Sequence, residues 1–371
     1  MKQILIFLSL LSIISCQKKQ EKYIISGQIS NIPNETIIDL SIEYNDFHNR
    51  IKSDTIFNGF FEFSDTLIQK PTKMNLRIRD FENFNGSCEL WVDYEPIKIS
   101  GNSKYLSSWL VESNISEQKS LNRINSKTRH LSAQIDSLAL LRSKNRENRE
   151  YMKLIRAQMD SINQIRYLTE LELIEENPNS YSAVEKLYNI IDNNENFSKD
   201  KVNLIYKNLD SIYKNTLYGE GISSILTKKE TPTVGDMAVE FKAFDIEGKM
   251  AKLSDYKGKY ILLDFWATHC APCIQAIPEL KQLNTKYKND LIIIGLNIDT
   301  TRDLWIEGMK RDNVPWLNLT DGKGSISGIG FEYGIYGYPT YFLINPEGKI
   351  VEHWSGYYAG KFENKISQYL N

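Results

Sequence analysis

Hydrophobic and polar positions change their period along this chain, and each period predicts a different kind of element. From Tyr23 to about Gly101 they alternate in short runs, as in Tyr23-Ile24-Ile25-Ser26-Gly27-Gln28-Ile29, Thr36 to Ile42, Leu76-Arg77-Ile78-Arg79 and Ile97-Lys98-Ile99. A period of two rich in β-branched residues predicts strands. Asn58-Gly59, set between aromatic runs ending at Phe57 and starting at Phe60, predicts a tight hairpin. Residues 23–102 are therefore expected to form an antiparallel, sandwich-like β domain. From 103 to 231 the period becomes helical. Leu131, Ile135 and Leu138 share one face, as do Ile155, Met159, Ile162 and Ile165. Pro178 interrupts the pattern, and a further helix is expected from Tyr181 to Ile191. The mixed charges Arg142, Lys144, Arg146, Glu147, Arg149 and Glu150 predict a solvated helix face. This central α-helical segment reads as a connector ending at Thr231-Pro232-Thr233. A two-helix stalk and a self-association surface are both open.

Residues 232–371 alternate strand and helix signals, which predicts an α/β unit. A hairpin is expected between Phe241 and Leu253, around Glu247-Gly248. Tyr260-Ile261-Leu262-Leu263 predicts a buried strand, and Leu291 to Asn297 a parallel one covered on both faces. Helical spacing recurs in Ile274, Ile277, Leu280, Leu283 and Tyr287, in Leu304 to Met309, and in Phe362, Ile366 and Leu370. The glycines from Gly322 to Gly337 lack the strand–loop–helix setting of a phosphate loop, so no nucleotide is expected.

Met1-Lys2-Gln3 followed by the apolar run Ile4 to Ile14 predicts a signal peptide, because a bilayer span needs about 20 residues. No later segment is long and apolar enough to span. Ile13-Ile14-Ser15-Cys16 resembles a bacterial lipobox. That resemblance implies cleavage before Cys16, lipidation of Cys16 and stable anchoring by several acyl chains. Residues 1–15 are then the signal peptide and 16–22 a lipidated tether; a cleaved leader with an incidental cysteine is the alternative. The likeness places the protein in a Gram-negative cell envelope, facing the periplasm. Gln17 in place of Asp favours the outer membrane over the inner. The formal net charge is −2, from 45 Lys+Arg and 47 Asp+Glu, with no basic patch. Nucleic-acid binding is not expected.

The chemistry centres on four cysteines: Cys16, Cys88, Cys270 and Cys273. Cys270 and Cys273 stand two residues apart where the Tyr260 strand meets a helix. Unpaired N–H groups and the positive dipole end of a helix favour thiolate over thiol. The spacing also lets the second sulfur close a disulfide on the first. A structural zinc needs four ligands, and no second CxxC or His pair is present, so no metal is expected. A purely structural disulfide would close too short a loop to restrict the chain much. Thiol–disulfide exchange is the leading reading. Cys88, within Gly86-Ser87-Cys88-Glu89-Leu90-Trp91, is expected to be a buried thiol on a strand.

Around this pair stand Asp264, Trp266, Pro278, Tyr338-Pro339-Thr340 and the strand–turn–strand run Tyr341 to Val351. From about Thr233 to Asn371 the chain resembles the thioredoxin superfamily, and within it the TlpA/ResA-type thiol–disulfide oxidoreductases. The resemblance implies an α/β thioredoxin fold with no cofactor. It implies that Cys270, the more exposed sulfur, attacks a partner disulfide and that Cys273 resolves the mixed disulfide. Burial raises a thiol pKa, so a group must take the Cys273 proton; Asp264 is the candidate, directly or through water. Pro339 is expected in a cis turn facing the pair, with Trp266, Tyr338 and Thr340 as client-contacting residues. His269 precedes the motif, either stabilising the thiolate or simply occupying a loop. Ala271-Pro272 resembles the pairs of reducing members. Implied partners are protein thiol and disulfide clients, which in the family include apocytochromes c and metallochaperones. A membrane electron donor of the CcdA or DsbD kind is also implied.

Two other readings stand beside the reductase. One is an oxidase or isomerase of the same fold. The other is a non-catalytic envelope binding lipoprotein, whose main function rests in a β domain resembling the uncharacterised one ahead of such thioredoxin units. A peroxiredoxin fits less well, since that family uses Thr-x-x-Cys with an activating Arg.

Overall fold

Alternation of buried and exposed residues builds the first strands, as in Tyr23–Ile29, where the even positions face out and the odd ones in. The computed structural model describes residues 22–44, 47–67, 71–80, 82–84, 86–102, 104–194, 196–228 and 230–370. The expected signal peptide, Cys16 and the expected tether up to residue 21 lie outside the described residues.

Eight strands come first: β1 (Tyr23–Ile29), β2 (Thr36–Tyr44), β3 (Phe47–Ile56), β4 (Phe60–Asp65), β5 (Thr72–Ile78), β6 (Cys88–Val92), β7 (Ile97–Gly101) and β8 (Leu110–Glu112). They form two four-stranded sheets, ordered β4-β1-β7-β8 and β3-β2-β5-β6. Ile25, Phe61 and Ile97 from one sheet and Leu40, Leu76 and Leu90 from the other belong to one buried cluster. Two expectations need correction. β1 pairs with β7 in parallel, so the unit is not purely antiparallel. The Asn58-Gly59 turn does form, with φ of 50° and 77° and the mutual Phe57–Phe60 backbone bonds of a two-residue hairpin. Beyond that bridge, however, β3 joins β2 while β4 joins β1. At the β1–β4 pairing the Phe61 ring comes within 2.1 Å of where a Cβ on Gly27 would sit, so a glycine is required there.

The helical part comprises α1 (Ser116–Asn125), α2 (Arg129–Lys144), α3 (Arg149–Glu176), α4 (Tyr181–Asp192), α5 (Lys199–Lys207), α6 (Ser211–Lys214) and α7 (Leu217–Leu226). The charged run from Arg142 to Glu150 straddles the α2–α3 turn instead of one helix face. Leu131, Ile135 and Leu138 are only half-buried, whereas Asp136 and Leu140 are buried. Ion pairs tie this part to the strands: Lys73 meets Glu185 at 2.8 Å and Lys186 meets Glu89 at 3.1 Å, while Lys73 also meets Glu89 on the neighbouring strand at 3.4 Å. The Trp91 indole donates to Ser182 Oγ at 2.8 Å.

The last part holds β9 (Lys242–Phe244), β10 (Met250–Lys252), β11 (Tyr260–Trp266), α8 (Ala271–Lys286), β12 (Leu291–Asn297), α9 (Arg302–Asp312), β13 (Leu317–Leu319), α10 (Gly328–Glu332), β14 (Thr340–Ile344), β15 (Ile350–Ser355) and α11 (Lys361–Ile366). Its five-stranded sheet is ordered β13-β12-β11-β14-β15. β11, β12 and β13 run parallel, while β14 and β15 are antiparallel additions. Apolar clusters cover both faces, which is why β11 and β12 read as near-continuous apolar runs.

Candidate active site

β11 ends at Trp266, and the chain then turns through Ala267-Thr268-His269 into α8. Thr268, fully buried, pins this turn: its N–H and hydroxyl both donate to Asp299 Oδ2, at 3.0 and 2.6 Å. Arg311 donates to the Thr268 carbonyl at 2.6 Å, and Asn297 holds the Asp299 carboxylate at 2.7 Å. Cys270 is thereby fixed as the N-cap of α8, its sulfur accepting the Cys273 N–H at 3.1 Å. Cys270 and Cys273 are joined as a disulfide with a Cα–Cα distance of 5.2 Å. Cys270 was expected to be the more exposed sulfur. In the disulfide form the two residues are equally covered, 5% and 6% exposed. His269 is exposed beside them.

Asp264 lies on β11, on the side of the sheet covered by α8. It is buried, and its Oδ1 has no protein hydrogen-bond partner. Burial pushes its pKa up to about 7, against an ordinary carboxyl value near 4. Asp264, Cys273, Trp266, Ile277, Trp316 and Asn318 line one cavity of about 20 Å³. A single water needs roughly 10–15 Å³ and two or more polar partners, so the space suits one bridging molecule. The Asp264 carboxyl and Cys273 thus line one small pocket.

The Tyr338–Pro339 peptide bond is cis, as expected. The register pairs Thr340 with Phe265, so Pro339 stands beside Trp266, where the chain leaves the sheet toward Cys270. Of the three residues expected to touch a client, only Tyr338 reaches the surface, half-buried. Trp266 is buried, with its indole N–H committed to Asn318 Oδ1 at 3.0 Å. Thr340 is buried too, its hydroxyl donating to the Gly337 carbonyl at 2.7 Å and lying 2.9 Å from Ser355 Oγ. Both build the turn instead of facing a client. Ile274 is the reverse case. Expected in the apolar stripe of α8, it is exposed, because Cys273, Ala276, Leu280 and Leu283 face the sheet. With the exposed Ala271 and Pro272 it forms an apolar rim around Cys270.

Asp299, Arg311 and Asn318 were missed as site residues. Asp299 left one signal, a carboxylate directly after an apolar strand. Asn318 and Arg311 left none, since their partners are 52 and 43 residues away. Cys88 lies buried on β6, and burial pushes its thiol up to about 12, which keeps it protonated and inert.

A closed Cys-x-x-Cys at a helix start, a buried acid behind it and a cis-proline turn beside it, on a mixed five-stranded sheet, define a thioredoxin-like thiol–disulfide oxidoreductase. Residues 234–353 match the AhpC/TSA family model. The thiol–disulfide oxidoreductase ResA of Bacillus thuringiensis subsp. konkukian is 36% identical over 146 residues, covering 39% of this chain and 80% of the relative. ResA of Bacillus subtilis is 31% identical over 150 residues, 40% of this chain and 80% of that protein. A solved thioredoxin domain of a thiol–disulfide oxidoreductase from Bacteroides vulgatus aligns at 28% identity, over 38% of this chain and all of that one, with a TM-score of 0.35. The chain belongs to the TlpA/ResA-type thiol–disulfide oxidoreductases. The match lies in the last part of the chain, and the β and helical parts stand outside it.

Proposed function

We propose that this enzyme is a lipid-anchored reductase of protein disulfides in the cell envelope, working through the Cys270/Cys273 dithiol. The observation that carries the reading is the pairing of that disulfide with the buried Asp264 in one cavity. In the reduced enzyme, the Cys270 thiolate attacks a client disulfide. The client S–S bond breaks, one client sulfur leaves and takes a proton, and a mixed disulfide forms. Cys273 passes its proton to the Asp264 carboxylate and attacks Cys270 Sγ. The second client thiol departs, and two electrons have moved from the enzyme to the client. An external dithiol, by family likeness one of the CcdA or DsbD kind, then reduces the Cys270–Cys273 bond again. The apolar rim of Ala271, Pro272 and Ile274 and the Tyr338 side chain are the surfaces offered to the client.

The reduction potential of the couple tests the direction of flow. It can be followed through Trp266 and Trp316, whose indoles line the cavity beside Cys273. A value near the thioredoxin end, about −270 mV, is expected. A value near about −120 mV would make the enzyme an oxidant instead, and an irreducible bond would leave a binding lipoprotein.

The anchor rests on the lipobox-like Ile13-Ile14-Ser15-Cys16. Cys16→Ala expressed in a Gram-negative host should move the protein from the membrane to the soluble fraction. A variant that still sediments with membranes would remove the lipid anchor from this reading.

A further inference from the structure

We propose that the strand-rich and helical parts, together with the loop before Pro339, form a groove that holds an extended segment of the client polypeptide on its way to Cys270. The inference deepens the reductase reading and rests on it. A groove of about 910 Å³ opens between the three parts of the chain. Trp91 from β6, Tyr188 from α4 and Tyr218 from α7 stand on one side, with Phe331, Tyr336 and Tyr338 on the other.

Its inner end lies beside the residues that lead into the redox centre. Ile298 lines the groove, and its N–H donates to the carbonyl of Trp266 at 3.0 Å, where the active-site turn begins. Gly337 and Tyr338 line it as well and lead directly into Pro339. A client chain bonded through sulfur to Cys270 and passing Tyr338 is delivered into this space. The opening is continuous with the surface the enzyme must already use.

The walls are held in place. Lys228 donates to the Tyr336 hydroxyl at 3.0 Å, and Lys323 pairs with Glu220 of α7 at 2.7 Å, fixing the loop against the helices. The pairs of Lys73 with Glu89 and Glu185, and of Lys186 with Glu89, fix the strands against α4. Those same pairs decide the occupant. Lys73, the one cation in the described lining, is paired with Glu89 and Glu185, and Asp192 is bonded to Tyr188 and faces Lys228. With carboxylates outnumbering that cation, the described lining disfavours an anion or a nucleic acid. Aromatic rings interleaved with amides such as Asn189 and Asn193 suit a neutral polypeptide whose side chains vary. Tyr336, 81% exposed, is the most open large apolar residue described on the protein and marks the groove's mouth.

The test fills the groove without touching the redox centre. Asn189→Trp and Asn193→Trp place indoles at exposed positions on the α4 wall. Leu154→Trp, on an exposed face of α3 outside the groove, is the control. With the full chain, reduced by dithiothreitol, kcat/KM is measured for insulin and for the small aromatic disulfide DTNB. The insulin-to-DTNB ratio should fall about tenfold in both groove variants and stay put in the control. An unchanged ratio in an active enzyme overturns the groove and leaves the reductase reading intact. A wild-type chain that accelerates neither reaction overturns both.

Discussion

Replacing Cys270 by serine should bring insulin reduction down to the uncatalysed rate, whereas Cys273→Ser should stop the enzyme at a covalent adduct. Both changes remove one sulfur, yet their consequences differ because the sulfurs act in sequence. A serine hydroxyl at 270 stays protonated at neutral pH and is no nucleophile toward sulfur, so no mixed disulfide forms. A serine at 273 leaves the first attack intact. Cys270 remains the N-cap of α8, where the helix's unpaired N–H groups stabilise its thiolate. What is lost is the intramolecular resolution that proximity makes fast. Non-reducing gels of Cys273→Ser mixed with oxidised client proteins should show the adduct, and dithiothreitol should dissolve it. Turnover retained by Cys270→Ser, or the absence of any adduct with Cys273→Ser, would reverse or remove the assigned roles. Mutual inactivity would not separate the two cysteines; the adduct does.

Much of this centre is legible in the sequence because its parts are local. The apolar run of β11, the Cys-x-x-Cys and the start of α8 are contiguous, and the turn before Thr340 is marked by a proline. What stayed hidden depends on partners far along the chain. Thr268 is an ordinary threonine until Asp299, Arg311 and the Leu304 carbonyl converge on it. Trp266 looked like a contact residue because it flanks the loop, but Asn318 on β13 draws its indole inward. Periodicity also misplaced Ile274 by one position around α8, since the face that meets the sheet is set by Cys273 and the small Ala276. In the β part, local alternation found the strands, while the parallel pairing of β1 with β7 is a long-range choice that no period records. The groove is the extreme case: its walls come from three separately readable segments, and only their packing brings Trp91, Tyr218 and Tyr336 around one space.

The Asp264→Asn variant should lower kcat at pH 7 about a hundredfold and erase the part of the pH profile centred near 7. Burial alone holds the Asp264 carboxyl at about 7, so near neutrality it is half ionised and ready to accept a proton. As the pH rises through that value, the carboxylate fraction grows, and wild-type resolution by Cys273 should accelerate. An asparagine carries no titrating group, and the variant's rate should climb only toward the pH where Cys273 ionises unaided. The same shift has a consequence for stability with a definite sign. In the unfolded chain Asp264 loses its proton near pH 4; in the folded disulfide form it keeps that proton to about 7. Between those values the unfolded state binds fewer protons, so stability falls as the pH rises, and it levels off above 7. The loss is about 4 kcal/mol at most, three pH units at roughly 1.4 kcal/mol each. Urea titrations of the oxidised protein from pH 4 to 8 should show this decline in the wild type. The asparagine variant should lack Asp264's contribution to it. The two readouts separate function from burden. A variant that regains stability at pH 7 yet keeps the wild-type rate and inflection would show that Asp264 is merely a buried acid and that the Cys273 proton goes elsewhere.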